Sequence, residues 1–125
     1  MLRAAYNDEL GITASFNRNV LTHINSLLGS DFRLEDWGHD AFFNEALSRI
    51  EMHVYARRDV TVCWPAGPAW PAAEKFFASG DSIHTESSYK YQTELFTEML
   101  SLAGFSSSQF WTDPNQWFAV FYARA

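Results

Sequence analysis

The chain has 125 residues, and 9 Lys and Arg face 15 Asp and Glu, for a formal net charge of -6. That length suits one domain, or one large piece of a bigger fold. With Arg57-Arg58 as its densest basic spot, the chain lacks the positive face that nucleic acid or an anionic membrane would require.

The 5 Trp, 5 Tyr and 11 Phe are more than a small core readily hides, so some rings should line a surface or pocket. Cys63 is the single cysteine and cannot form an internal disulfide, which favours a reducing, cytoplasmic setting. It lies in the apolar run Val60 to Trp64 and reads as a buried structural thiol. No stretch approaches the ~18 apolar residues of a membrane span, and the first ten residues do not read as a signal peptide.

In chain order, Asp8 to Leu28 reads as a helix on the spacing of Leu10, Phe16, Val20, Ile24, Leu27 and Leu28, with Gly29 as its stop. Leu34 to Phe43 offers a second, poorly patterned helical possibility. Ala46 to Trp64 reads as a β-hairpin turning near Arg58-Asp59, with Ile50, Met52 and Val54 on its apolar side. Pro65 to Ala73 is a loop, since its prolines exclude a central strand. Lys75 to Ala78 and Ser82 to Glu86 read as short strands. Ser88 to Ala103 reads as a helix stopped by Gly104. Two strands close the chain around the turn "DPNQ". The last, "QWFAVFYARA", is apolar on both faces, the pattern of a strand buried between layers.

The residues carry little self-evident chemistry. Gly11, Gly29, Gly38, Gly67, Gly80 and Gly104 form no G-x-G pair, so neither a dinucleotide turn nor a phosphate loop is present. His23, His39, His53 and His84 have no metal-ligand spacing, and no metal site is expected. Glu51 reads as a solvated residue or one half of a cross-strand pair. Glu86, in "GDSIHTESSYKY", falls at the expected passage from strand to helix. There it could favour a helix dipole beside a capping Ser87 or Ser88, or form the wall of a ligand site.

Four ordered stretches bear on this choice. "AAYNDELGITASFNRNVLTHIN", "RIEMHVYARRDVTV", "GDSIHTESSYKY" and "AGFSSSQFWTDPNQWFAVFYARA" resemble successive segments of the histidine-specific, S-adenosylmethionine-dependent methyltransferases of the ergothioneine pathway. The resemblance covers nearly the whole chain, loosest at Asp31 to Asn44 and in the Pro-rich loop. Family proteins are more than twice as long, and their first half carries the glycine-rich turn and most cofactor contacts.

The resemblance implies an α+β fold. Residues 1–87 would be a substrate-binding subdomain of a class I methyltransferase, and residues 88–125 the last helix and terminal β-hairpin of its Rossmann-like sheet. It implies that Tyr6 helps hold the substrate carboxylate, that Met52 packs beside the substrate side chain, and that Glu86 and Ser88 hydrogen-bond an imidazole. It assigns no catalytic residue to this chain. S-adenosylmethionine would belong to the complete enzyme, none being bound by this chain alone. The chain would therefore be inactive alone, as a fragment, a split-enzyme half or a degenerate copy. The expected partners are a histidine-like amino acid and either a missing N-terminal methyltransferase half or a second copy in a homodimer or domain-swapped oligomer. A different amino-acid substrate, or a non-enzymatic binding role, are the competing readings.

Overall fold

The computed structural model describes residues 2–125, which fold into two compact units that divide between Tyr89 and Lys90. Helices and strands are mixed, an α+β fold, and every strand ladder among the described residues is antiparallel. No helix among them is long and apolar enough to cross a membrane.

The first unit begins with a short helix α1 (Leu2–Tyr6), which the sequence pattern did not suggest. Helix α2 runs Ile12–Leu28. It starts four residues later than its apolar spacing implied because Gly11 sits at φ 68, outside helical space. Asp8 stays outside and caps the helix, its carboxylate accepting from the backbone N–H of Ile12 and Thr13 at 2.8 Å each. Gly29, at φ 67, ends the helix as expected and donates to the Asn25 carbonyl. The buried stripe is Asn17 and Leu21, with Val20 and Ile24 packed beside them, whereas Phe16 and Leu27 face solvent.

The helical possibility at Leu34 to Phe43 is replaced by one 3-10 turn, Leu34–Asp36, and strand β1, Trp37–Asn44. Trp37 and Ala41 alternate into the core, and the register places Gly38 opposite Tyr55. A Cβ at Gly38 would lie 2.2 Å from the Tyr55 ring, so only glycine fits that crossing.

The expected hairpin at Ala46 to Trp64 does not form. Strand β2 (Arg49–Ala56) lies between β1 and β5 (Ser82–Tyr89), while β3 (Val60–Trp64) pairs with β4 (Ala73–Phe77). The supposed turn residues are held elsewhere. Arg58 donates to both oxygens of buried Asp36, at 2.6 and 2.7 Å, and Asp59 accepts from the Ser79 N–H at 2.8 Å. These contacts lead the chain away from β2 instead of back along it.

Leu21, Trp37, Val54, Ala56, Val62 and Phe77 form the main core, and Ala41, Ile50 and Met52 a second cluster. Cys63 is exposed, contrary to expectation, because Val60 and Val62 take the inward positions of β3. Loss of solvation and the Asp31 and Glu74 carboxylates push its thiol pKa up, which disfavours the reactive thiolate.

In the second unit, helix α3 spans Thr93–Leu102, and β6 (Ser107–Thr112) pairs with β7 (Ala119–Arg124). The helix starts later than Ser88 because residues through Tyr89 complete the ladder with β2. Gly104 follows its end at φ 93, the expected stop. Phe121 of β7 packs edge-on against Phe96 and at a tilt against Phe110, but Val120 and Tyr122 are about half exposed. The last strand is thus covered on one face, not two.

Truncating the fully buried Leu21 should be costly. Leu21→Ala is expected to lower unfolding free energy by about 2–5 kcal/mol in urea titration, whereas truncating the exposed Leu10 should change it by less than about 0.5 kcal/mol.

Candidate functional site

The site is built on strand β5, whose register against β2 shifts between Met52 and His53. Glu86 pairs with Met52 and His84 with His53, leaving Thr85 as the extra residue of a β-bulge. Directly opposite residues of a ladder share a face. Met52 and Glu86 therefore lie on one side of the sheet, with Ile50 and Ser88. His53, His84, Glu51 and Ser87 lie on the other.

Asn17 fixes the bulge. Its side chain is 3% exposed and bonded on both ends. Its amide N–H groups donate to His39 Nδ1 at 2.9 Å and to the His53 carbonyl at 3.0 Å, and its Oδ1 accepts from the Thr85 hydroxyl at 2.6 Å. With Nδ1 accepting, the His39 proton is assigned to Nε2, which donates to the Tyr6 carbonyl at 2.8 Å. One buried amide thus joins α2, β1, β2 and β5 and reaches the end of α1. Asn7 completes the anchor, donating to the Ala41 carbonyl at 2.7 Å and accepting from the Ala41 N–H at 3.1 Å.

This framework brings Tyr6, Met52 and Ser88 into contact and sets Glu86 on the same sheet face, where it lines a groove that the other three do not. Tyr6 packs against the Ala41, Ile50 and Met52 cluster, and Tyr6 Oη lies 2.9 Å from Ser88 Oγ. Met52 is 3% exposed, between strand neighbours Ala41 and Glu86. Glu86 is exposed, and its carboxylate has no hydrogen-bond or ion-pair partner among the described residues. It lines an open groove of about 270 Å³ with Phe16, Asn17, Val20, His23 and Thr85. Glu86 and Ser88 belong to the body of a strand, not to a strand-to-helix junction. Ser87 is likewise no helix cap, since its hydroxyl lies 3.0 Å from His84 Nε2 on the opposite face.

Asn17, Thr85, His39 and Asn7 were missed in the sequence. The available signal was a polar residue on the apolar stripe of α2, at helical spacing from Val20, Leu21 and Ile24.

On the opposite face Glu51 is buried rather than solvated, and its charged partners lie along its own strand. Glu51 Oε1 accepts from Arg49 Nε at 2.8 Å and from Asn44 at 3.0 Å, while Oε2 lies 3.3 Å from His53 Nε2. The Arg49 hydrogen bond, helped by those to His53 and Asn44 and opposed by burial, holds the Glu51 carboxyl at about 2, below its ordinary 4.5. A carboxyl depressed in the folded state stabilises the fold above its unfolded pKa. That contribution is lost as pH falls from 4.5 toward 2.

Two predictions follow the two faces. Asn17→Ala leaves buried partners unpaired and should cost about 2–3 kcal/mol in chemical denaturation. Glu51→Gln should lower the melting temperature at pH 7, and the gap to the parent should narrow as pH falls through the 4.5 to 2 window. A gap unchanged across that window would contradict the assigned cause. Asp8 is also depressed to about 2 and titrates over the same range, so the difference between variant and parent is the quantity to measure.

Comparison with known proteins gives this geometry a context. A family described as histidine-specific methyltransferase, SAM-dependent, matches residues 1–125. Over 110 residues the chain is 40% identical to the histidine N-alpha-methyltransferase of Mycolicibacterium smegmatis, covering 88% of this chain and 33% of that protein. The corresponding enzyme of Mycobacterium tuberculosis is 38% identical over 111 residues, 87% of this chain and 33% of its own length. Ergothioneine biosynthesis protein 1 of Schizosaccharomyces pombe is 30% identical over 63 residues, half of this chain and 8% of that protein. The chain spans a third of the length of the bacterial relatives it matches. It belongs to the histidine-specific, S-adenosylmethionine-dependent methyltransferase family.

Proposed function

We propose that this chain supplies the amino-acid-binding wall of a histidine N-alpha-methyltransferase, together with the last helix and strands of its methyltransferase sheet. One observation carries the reading. Tyr6, Met52, Glu86 and Ser88 come from three distant stretches of sequence and gather on one side of β2 and β5.

Their chemistry suits an imidazole. A neutral imidazole offers one N–H donor and one acceptor nitrogen. The Glu86 carboxylate would accept from the N–H, the Ser88 hydroxyl would donate to the other nitrogen, and Met52 would be an apolar wall. The Tyr6 hydroxyl would hold the substrate carboxylate. Such a site rejects side chains that leave its polar atoms unpaired.

The described residues do not fit a cofactor cradle. They contain no parallel strand pair and no glycine-rich turn between a strand and a helix. In this reading S-adenosylmethionine is held by the rest of a complete enzyme and supplies an activated methyl group. The residues described above orient the amino acid so that its alpha-amine faces that group, and orientation is the main requirement of such a transfer. The half-exposed Val120 and Tyr122 face of β7 supports a covering partner, namely the remaining methyltransferase half or a second copy. A cytoplasmic location belongs to the same proposal.

The test is a chimera in which this chain replaces the matching C-terminal third of the M. smegmatis relative, assayed for methylated histidine by mass spectrometry. Activity is expected from the chimera and none from the chain alone. Glu86→Ala in the chimera should raise KM for histidine about ten-fold or more, the loss of a charge-assisted hydrogen bond. An active chimera with KM unchanged by both Glu86→Ala and Ser88→Ala would refute the site. Methylation by the isolated chain would refute the division of labour.

A further inference from the structure

The face of the sheet turned away from Tyr6 and Met52 carries a second constellation. Glu51, His53 and His84 each present one ligand atom, and these atoms lie within 4.8 Å of one another. We propose that they bind a divalent transition-metal cation, of the zinc or nickel type, which clamps β5 to β2 beside the bulge.

The donor set is two imidazole nitrogens and one carboxylate oxygen, which suits zinc, nickel, cobalt or copper better than the all-oxygen preference of magnesium or calcium. The outer contacts are already in place. His84 Nε2 lies 2.9 Å from the Glu86 carbonyl and 3.0 Å from the Ser87 hydroxyl; the carbonyl can only accept, so the proton is assigned to Nε2 and Nδ1 keeps its lone pair for a metal. His53 Nδ1 lies 3.3 Å from Ser82 Oγ, which can accept a hydrogen bond from Nδ1–H when Nε2 becomes a ligand. A ligating histidine ordinarily holds its second nitrogen in this way. Glu51 Oε1 is fixed by Arg49 and Asn44, leaving Oε2 on the histidine side, so the carboxylate is oriented in advance.

The rings of His53 and His84 stack with centroids 4.6 Å apart. Zinc–nitrogen bonds of about 2.0–2.1 Å would require their ligand atoms to approach to roughly 3.3 Å in a tetrahedral site. Rotation of exposed His84 supplies that movement. An adjoining cleft of about 530 Å³, lined in part by His53, Asp40, Tyr55 and Ser82, leaves room for water to complete the coordination. The bulge itself creates the pairing, since it sets His84 directly opposite His53. Metal binding does not depend on the function proposed above.

The test uses tag-free chain carrying Cys63→Ser, so that the exposed thiol cannot contribute, stripped with chelator and titrated calorimetrically with zinc, nickel and magnesium chlorides. One equivalent of zinc or nickel should bind, with magnesium inert. His84→Ala should weaken zinc binding at least ten-fold, His53→Gln likewise, and His23→Ala not at all. Nitrogen resonances of the His53 and His84 rings should shift on zinc addition. His84 is exposed, so its variant tests the site without a cost in folding. Absence of saturable zinc and nickel binding would overturn the proposal, as would affinity unchanged in both His84→Ala and His53→Gln.

Discussion

The side chain of Asn17 is the constraint on which the rest of the first unit depends. A buried amide must satisfy its donors and its acceptor, and an unmet group costs about 1–3 kcal/mol. Asn17 meets this demand only if Thr85 lies within reach of α2. Thr85 lies there only as the extra residue of a bulge. A strand with regular alternation would carry Thr85 and Glu86 on opposite faces. The bulge places both toward α2, where they line one groove, and a single buried hydrogen-bond centre thereby decides where Glu86 sits.

The same register shift organises the far side of the sheet. It stacks His84 on His53 and brings both beside Glu51. Arg49 offsets the charge of that buried carboxylate and continues to the Tyr89 hydroxyl at 2.7 Å, closing the end of the β2–β5 ladder. Sheet faces that often divide into core and solvent here divide into an apolar face with a groove and a polar, ion-paired face. Strand β2 serves both, with Met52 on one side and Glu51 and His53 on the other.

Several large apolar side chains remain exposed in a chain of this size. Leu10, Ile12 and the groove-lining Phe16 are more than half exposed, and Val120 and Tyr122 are exposed on β7. The matched relatives are about three times the length of the matched segment. Exposed apolar patches of this kind mark interaction surfaces or groove rims.

Some of this was legible in the sequence. The apolar spacing of α2, the stops at Gly29 and Gly104, and the alternation of Ile50, Met52 and Val54 express local sterics and periodicity, which the chain carries in its own order. Four motifs were enough to recognise the family. Strand pairing was not legible. Arg58-Asp59 has the chemistry of a turn, yet its charges are held by Asp36 and Ser79, so β2 pairs with β1 and β5 and leaves β3 to β4. The constellation of Glu51, His53 and His84 has no sequence spacing to reveal it, because the bulge that assembles it spans strands about thirty residues apart. The sequence by itself determined helices α2 and α3, the apolar alternation of β2 and the family. Tertiary structure alone decided which face each side chain of β5 occupies, because one extra residue in a period-two strand reverses every position beyond it.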